Sequence, residues 1–416
     1  MKKLTYYRFK DGKTTKCLLG LFFFVILLLS RNTLYTSTVL GFRRAQLAMF
    51  GLIGILGLVF LLVNRKNLRA ILTDGRIPAA IIFTLILTLP MVAKGDWQAM
   101  YVSILLCLYV AVFVSYFLPY REVAAYFVLA MTFLGAYSVV AEYILDPMVS
   151  AGWFSVPSFS YHESRSFHNF YLSFVVIRET YFRNYGIFRE PGLYQFFLIL
   201  ALYLANYRVT WQKKRHLWAV NGILAVTMVS TFSTGGVLEL GLLAVVLFFE
   251  KKLYRDKRIL ALVLACGAVG VLGLVFIIVQ KGALYQTLFT MVEKLFVVND
   301  SSGSRYEAIA SNVSVFLQHP LFGGRFAQTL EAVRHNTSST TLLFAVYGIL
   351  GGLLHVAGFG ALVWDKERHF LLNGMLVLIL LMAVNTQNFT TDVFFWLFPT
   401  MALMERGIPL LKRKGS

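Results

Sequence analysis

Long apolar runs alternate with short charged or turn-rich breaks along most of this chain. Cutting at the breaks leaves apolar segments at 17–38, 44–63, 77–93, 97–118, 122–144, 190–207, 216–232, 236–250, 259–280, 338–363, 369–385 and 391–404. A straight membrane crossing takes ~20 residues, so several are on the short side. The pattern predicts an all-α, polytopic membrane protein of about 12 transmembrane helices. Arg31 interrupts the first segment, and the tightly spaced pair 216–232 and 236–250 meets at Ser233-Thr234-Gly235-Gly236. The basic N-terminus leads into an apolar run at Cys17, as in a signal peptide, but no small-residue cleavage site follows. A retained first helix is expected.

Two connections are long. The chain divides into N-terminal helices (1–144), a first loop (145–189), a helical block (190–280), a second loop (281–336) and a final block with a basic tail (337–416). Loops of this length in a compact protein are functional or disordered. The first is rich in aromatics, among them Trp153, Phe159, Phe167 and Phe174. In the second, Tyr306, Ile309, Val313 and Phe316 recur at helical spacing. That spacing predicts an interfacial helix lying along the membrane surface. No internal repeat or low-complexity tract is evident.

Composition agrees with lipid as the solvent. Hydrophobic residues make up 58% of the 416 and charged residues 14%, against about 25% charged in soluble domains. The net charge of +19 has a simple origin, because Lys and Arg concentrate in cytoplasmic loops. No basic stretch is long enough for a nucleic-acid-binding domain. With both termini in the cytoplasm, roughly two thirds of the 39 Lys and Arg fall on the inner side, as the positive-inside rule demands. Both long loops then face outward. The three cysteines lie in apolar stretches, which gives no sign of a disulfide framework or metal site.

Outward-facing arginines run against that rule: Arg178, Arg183, Arg189, Arg305, Arg325 and Arg334. Arginine binds phosphate bidentately and keeps its charge. Such a cluster beside a membrane suits a lipid-linked phosphate or diphosphate. The alternative for each arginine is pairing with a nearby acid: Glu179, Glu190, Glu307 or Glu331. Glu190-Pro191 fits a helix start, which places Arg189 at the mouth of that helix. His335 and Asn336 close the second loop. Asn336 suits a helix N-cap, and His335 beside Arg334 is a candidate proton acceptor near neutral pH. Glu142 and Glu239 lie inside predicted helices near their outer ends, where a functional and a packing role are both open. His355 carries no assigned role. The polar turn Asn385, Gln387, Asn388, Thr390 and Asp392 either lines a sugar site or is simply solvated. There is no P-loop or His-Glu-x-x-His helix, so nothing points to a nucleotide or metal cofactor.

The order of these pieces resembles the bacterial O-antigen polymerase and ligase superfamily, the Wzy and WaaL types. Arg189-Glu190-Pro191-Gly192 leads into a helix and is followed by Ser233-Thr234-Gly235-Gly236. Ser302-Gly303-Ser304-Arg305 comes next, then His319-Pro320-Leu321-Phe322-Gly323-Gly324, His335-Asn336 and Gly348-Ile349-Leu350-Gly351. The likeness covers about residues 186–352. It implies a GT-C-like fold in a bacterial plasma (inner) membrane and a metal-independent, inverting glycosyl transfer on the outer face. The donor would be an oligosaccharide on undecaprenyl diphosphate, with no cofactor. By the same likeness His335 would be the general base, and Arg189 and Arg305 would hold the diphosphate. Arg178, Arg183, Glu190, Ser304, Arg325, Arg334 and Asn336 would contribute to substrate binding. Partners would be the lipid-linked oligosaccharide, membrane lipids and, in the cell, a flippase and a chain-length regulator. The longer spacing between His335-Asn336 and the Gly-x-x-Gly favours polymerase over ligase. A transporter or flippase fits less well, because such proteins bind at the bilayer midplane, where this chain is poor in polar residues.

Overall fold

The computed structural model describes residue 6, residues 13–161, 165–177, 183–257, 300–331 and 336–414, and the isolated positions 261, 265 and 279. The chain is mostly helical. The longer helices among the described residues are α1 (Lys13–Leu28), α2 (Phe42–Val63), α3 (Arg76–Lys94), α4 (Ala99–Phe117), α5 (Tyr120–Val140), α6 (Pro191–Tyr207), α7 (Lys214–Ser230), α8 (Thr234–Glu250), α9 (Asp300–Gln318), α10 (Ser339–Val363), α11 (Phe370–Val384) and α12 (Val393–Lys414). Among the described residues, five helical stretches are long and apolar enough to cross a membrane: Phe42–Val63, Arg76–Lys94, Ala99–Phe117, Tyr120–Ser150 and Ser339–Val363. Most helix boundaries follow the apolar segments of the sequence closely. The segment 259–280 lies outside the described residues apart from residues 261, 265 and 279.

Burial separates centre from periphery. Helix α6 is apolar on every side and buried along nearly its whole length, as suits a helix surrounded by others. By contrast, α2 buries only Ala45, Met49 and Phe60. Its Leu47, Ile55, Leu58 and Leu62 are each more than 60% exposed. A continuous apolar face of this kind is unfavourable in water and suits lipid contact.

Three features depart from the sequence expectation. First, α1 ends at Leu28, so the apolar segment 17–38 is not one helix. The chain turns at Ser30–Asn32, and a backbone bridge pairs Thr33 with Phe188. Second, the first loop is not purely helical: a short helix, Asp146–Ser150, gives way to strands. The strands form an antiparallel sheet, β1 (Ser158–Tyr161), β2 (Arg165–Asn169) and β3 (Phe174–Ile177), in the order β1-β2-β3. Phe159 pairs with Phe167, which pairs with Val176, and the Phe159 and Phe167 rings stack at 5.6 Å. The expectation of an all-α fold is corrected to that extent, because aromatics at alternate positions favour a pleated, half-buried surface.

The third departure is α10. Gly348 has φ 65° and ψ −163°, which breaks the helix. Residues fifteen apart on a straight helix are about 22 Å apart, yet His355 Nε2 lies 3.3 Å from Thr340 Oγ1. Phe344 packs against Gly352 in the same antiparallel sense. The predicted span 338–363 is therefore a helical hairpin with arms 339–347 and 349–363. Its tip is stitched to the second loop. Ile349 N–H donates to Pro320 O (2.8 Å) and Gly324 N–H to Ala345 O (2.8 Å). The Lys94 ammonium donates to Gly324 O (2.9 Å) and to Val346 O. These bonds satisfy carbonyls and amides that a broken helix leaves open. At Gly323 (φ 71°) a side chain would press on Val346 and come 2.6 Å from Ala345 O, so backbone meets backbone here.

Candidate functional site

Two faces can be distinguished by what holds them. On one, the Tyr6 hydroxyl donates to Glu405 (2.7 Å) and Arg368 Nε pairs with Glu250 (2.7 Å). The described start of the chain thus meets the last helix. The candidate site lies at the other end of α1, on the arginine face.

Arg189 precedes α6, whose start is set by Pro191 at its first position and by extended Glu190 (φ −149°). One Arg189 Nη donates to Asn32 Oδ1 (3.1 Å), and the Arg189 N–H donates to Asn32 O (3.2 Å). Asn32 in turn donates to Asp392 (2.9 Å), which also accepts from Ser30. The other Asp392 oxygen accepts from Phe394 N–H (2.9 Å) and caps α12. Three remote stretches thus position Arg189. Its guanidinium and that of Arg31 both lie over the Phe42 ring, at 5.6 and 5.8 Å from the centroid.

Arg305 sits on α9, on the face it shares with buried Ala308, Asn312 and Val315. Helix α9 confirms the helical spacing of the second loop. Tyr306, Ile309 and Val313 point outward, with Tyr306 72% exposed. Burial lowers the Arg305 pKa, and the charge of Glu190 within electrostatic reach works against that effect. Glu190 itself is held by Gln387, whose amide donates to it at 2.6 Å. Among the described residues, neither Arg189 nor Arg305 pairs with an acid within 4.0 Å; the ion pairs there are Arg76–Asp74, His168–Asp146 and Arg368–Glu250. The acid-pairing alternative does not hold for these two arginines.

A buried polar chain begins further along α9. Asn312 and Asn336 exchange amide hydrogen bonds (2.7 and 3.2 Å). Asn312 also donates to Thr341 (2.8 Å), which donates to Ser338 (2.7 Å), which donates to Asn385 (2.8 Å). The Asn385 amide reaches Thr340 (3.1 Å), the partner of His355. Ser339 donates to Gln387 O (2.7 Å) and accepts from Phe389 N–H (2.7 Å). This network fixes the entry of the second loop into the hairpin deep among the helices, with each polar group satisfied by another. Asn336 donates and accepts within the protein, so it positions the loop rather than facing a ligand.

Further along the same loop a cavity of about 330 Å³ is lined by Lys94, His319, Gly323, Gly324, Arg325 and Gln328. Arg325 is exposed there. Beneath it, Asp96 accepts from Tyr101 (2.6 Å), Phe326 N–H (2.9 Å) and Gln98 (3.2 Å). Burial acts to raise the Asp96 pKa, but these hydrogen bonds and the Lys94 charge outweigh it, and the net shift is downward.

Arg189 adjoins Glu190 in the chain, and Glu190 lies within electrostatic reach of Arg305. Arg325 lines the separate cavity, and Arg183 is half-buried where the first loop returns. Ser304 lies within α9. Arg178, Arg334 and His335 lie outside the described residues. Sequence reasoning missed Arg31, Asn32 and Asn312, and it left the 385–392 turn undecided. The signal for Arg31 was present as a charge interrupting an apolar run. Nothing local marks Asn32 or Asn312. Glu239 is buried, with Gln195 donating to it at 3.5 Å. No family model matches this chain, and no curated protein or solved structure is similar to it.

Proposed function

We propose that this chain is a polysaccharide repeat-unit polymerase of the Wzy type. It would cross a bacterial plasma membrane about a dozen times, with both termini in the cytoplasm and the arginine face outside. It would transfer a growing glycan from undecaprenyl diphosphate to a sugar hydroxyl of an incoming lipid-linked repeat unit. The observation that carries this reading is that Arg189, anchored at the start of α6, and Arg305, within electrostatic reach of Glu190, have no acid within 4.0 Å among the described residues. Guanidinium groups suit a diphosphate leaving group, whose charge grows as the glycosidic bond breaks. A diphosphate is already a good leaving group, so electrostatic stabilisation and one base suffice. The base is His335, followed directly by the anchored Asn336. The polar 385–392 turn and the β-sheet of the first loop flank this region and are the candidates for sugar recognition.

A ligase moving finished glycan to another acceptor uses the same donor chemistry. Deletion in the source cell separates the two. Loss of a polymerase leaves single repeat units on the acceptor, whereas loss of a ligase leaves polymer on the carrier lipid. The second pattern would overturn the polymerase reading.

A further inference from the structure

We propose that Arg31 is a phosphate-binding residue that forms an arginine clamp with Arg189. This rests on the diphosphate reading of the site and adds to it a residue from the α1–α2 connection. Arg31 and Arg189 lie within 6 Å of the centroid of one ring, that of Phe42. Arg31 has no acid within 4.0 Å among the described residues. The nearest candidate, Asp392, already accepts from Ser30, Asn32 and Phe394. Two like charges held together in a partly buried place are unfavourable unless an anion sits between them.

Their closeness is built into the backbone. Leu34 N–H donates to Ile187 O (2.8 Å) and Arg189 N–H to Asn32 O (3.2 Å), with the Thr33–Phe188 bridge between. Arg31 therefore cannot drift from Arg189 without breaking this pairing. A guanidinium over an aromatic face keeps its N–H groups in the plane of the fork, free for bidentate contact with phosphate oxygens. Arg189 Nε is buried and has no hydrogen-bond partner among the described residues. An unused donor thus waits beside Phe42. Two adjacent guanidinium charges match a diphosphate better than a phosphodiester, which carries a single negative charge.

The test is native mass spectrometry of the full chain in detergent, titrated with undecaprenyl diphosphate, undecaprenyl monophosphate or phosphatidylglycerol. Wild type is expected to prefer the diphosphate. Arg31→Ala should bind it about tenfold to a hundredfold more weakly, as for loss of a charged hydrogen-bond partner. Arg31→Lys should lose several-fold, since a point charge cannot replace the fork, and it serves if Arg31→Ala does not fold. Diphosphate binding unchanged in Arg31→Lys and Arg31→Ala overturns the role of Arg31 while leaving the proposed function intact. Wild-type binding that is equal for phosphatidylglycerol and diphosphate overturns the choice of ligand. No diphosphate binding by wild type overturns the site reading itself.

Discussion

Replacing Gly348 by alanine tests the helical hairpin directly. At φ 65° and ψ −163° the backbone occupies a region open essentially to glycine alone, and a non-glycine residue there costs about 1–3 kcal/mol. The added Cβ would also lie 2.8 Å from Phe322 N and closer still to the Leu321 carbonyl. Both are backbone atoms that the tip bonds hold in place, so overpacking adds about 1–3 kcal/mol. The sum, about 2–6 kcal/mol, is a large share of the 5–15 kcal/mol that separates folded from unfolded domains. A control lies in the same element. Gly360 is in the second arm, and a Cβ added there would meet nothing within 4 Å. Alanine at that position should be neutral or stabilising by roughly 0.5–1 kcal/mol. Thermal unfolding of both variants in one detergent is the assay. Gly348→Ala should melt several degrees lower than wild type, and Gly360→Ala should not. Equal melting of the two would refute the hairpin, because a continuous helix treats both glycines alike.

Three further outcomes are expected. Asn312→Ala leaves Asn336 and Thr341 without a buried partner and should cost about 1–3 kcal/mol in denaturant unfolding. Gln387→Ala frees Glu190 to swing towards Arg305, and polymer formation should fall several-fold at unchanged melting temperature; loss of stability with unchanged activity would contradict that role. For Asp96 the folded-state pKa is depressed, so its contribution is present above the unfolded value near ~3.9 and lost as pH falls through the folded one. Protease cleavage near Phe326 should therefore stay slow at neutral pH and rise in strong acid, while Asp96→Asn should show the fast cleavage already at pH 7.

The helices could be read from the sequence wherever one apolar run made one element, as for 44–63 and 97–118. The hairpin could not, because both its arms are apolar and hydropathy does not register a reversal of direction. Its signal is conformational: Gly348 followed by Gly351 and Gly352, with His355 buried in a span that otherwise needs no polar group. The sheet was legible in principle. Ser158-Phe159-Ser160-Tyr161 and Arg165-Ser166-Phe167-His168 alternate with period two, and aromatic content drew attention instead. Arg189 and Arg305 stood out because the positive-inside rule disfavours arginine in loops assigned to the outer side. Asn32, Asn312 and Asp392 gain their meaning only from folding, which brings positions 30–32, 189 and 392 into one bonded group.

The central claim is glycan extension driven from a diphosphate held by arginines. Reconstitution of the full chain in liposomes with undecaprenyl-diphosphate-linked repeat units, followed by gel separation of the glycans, tests it most directly. Wild type should produce a ladder of increasing length, and Arg305→Ala and His335→Ala should leave single units. Extension by both variants at the wild-type rate, or none by wild type, would contradict the account.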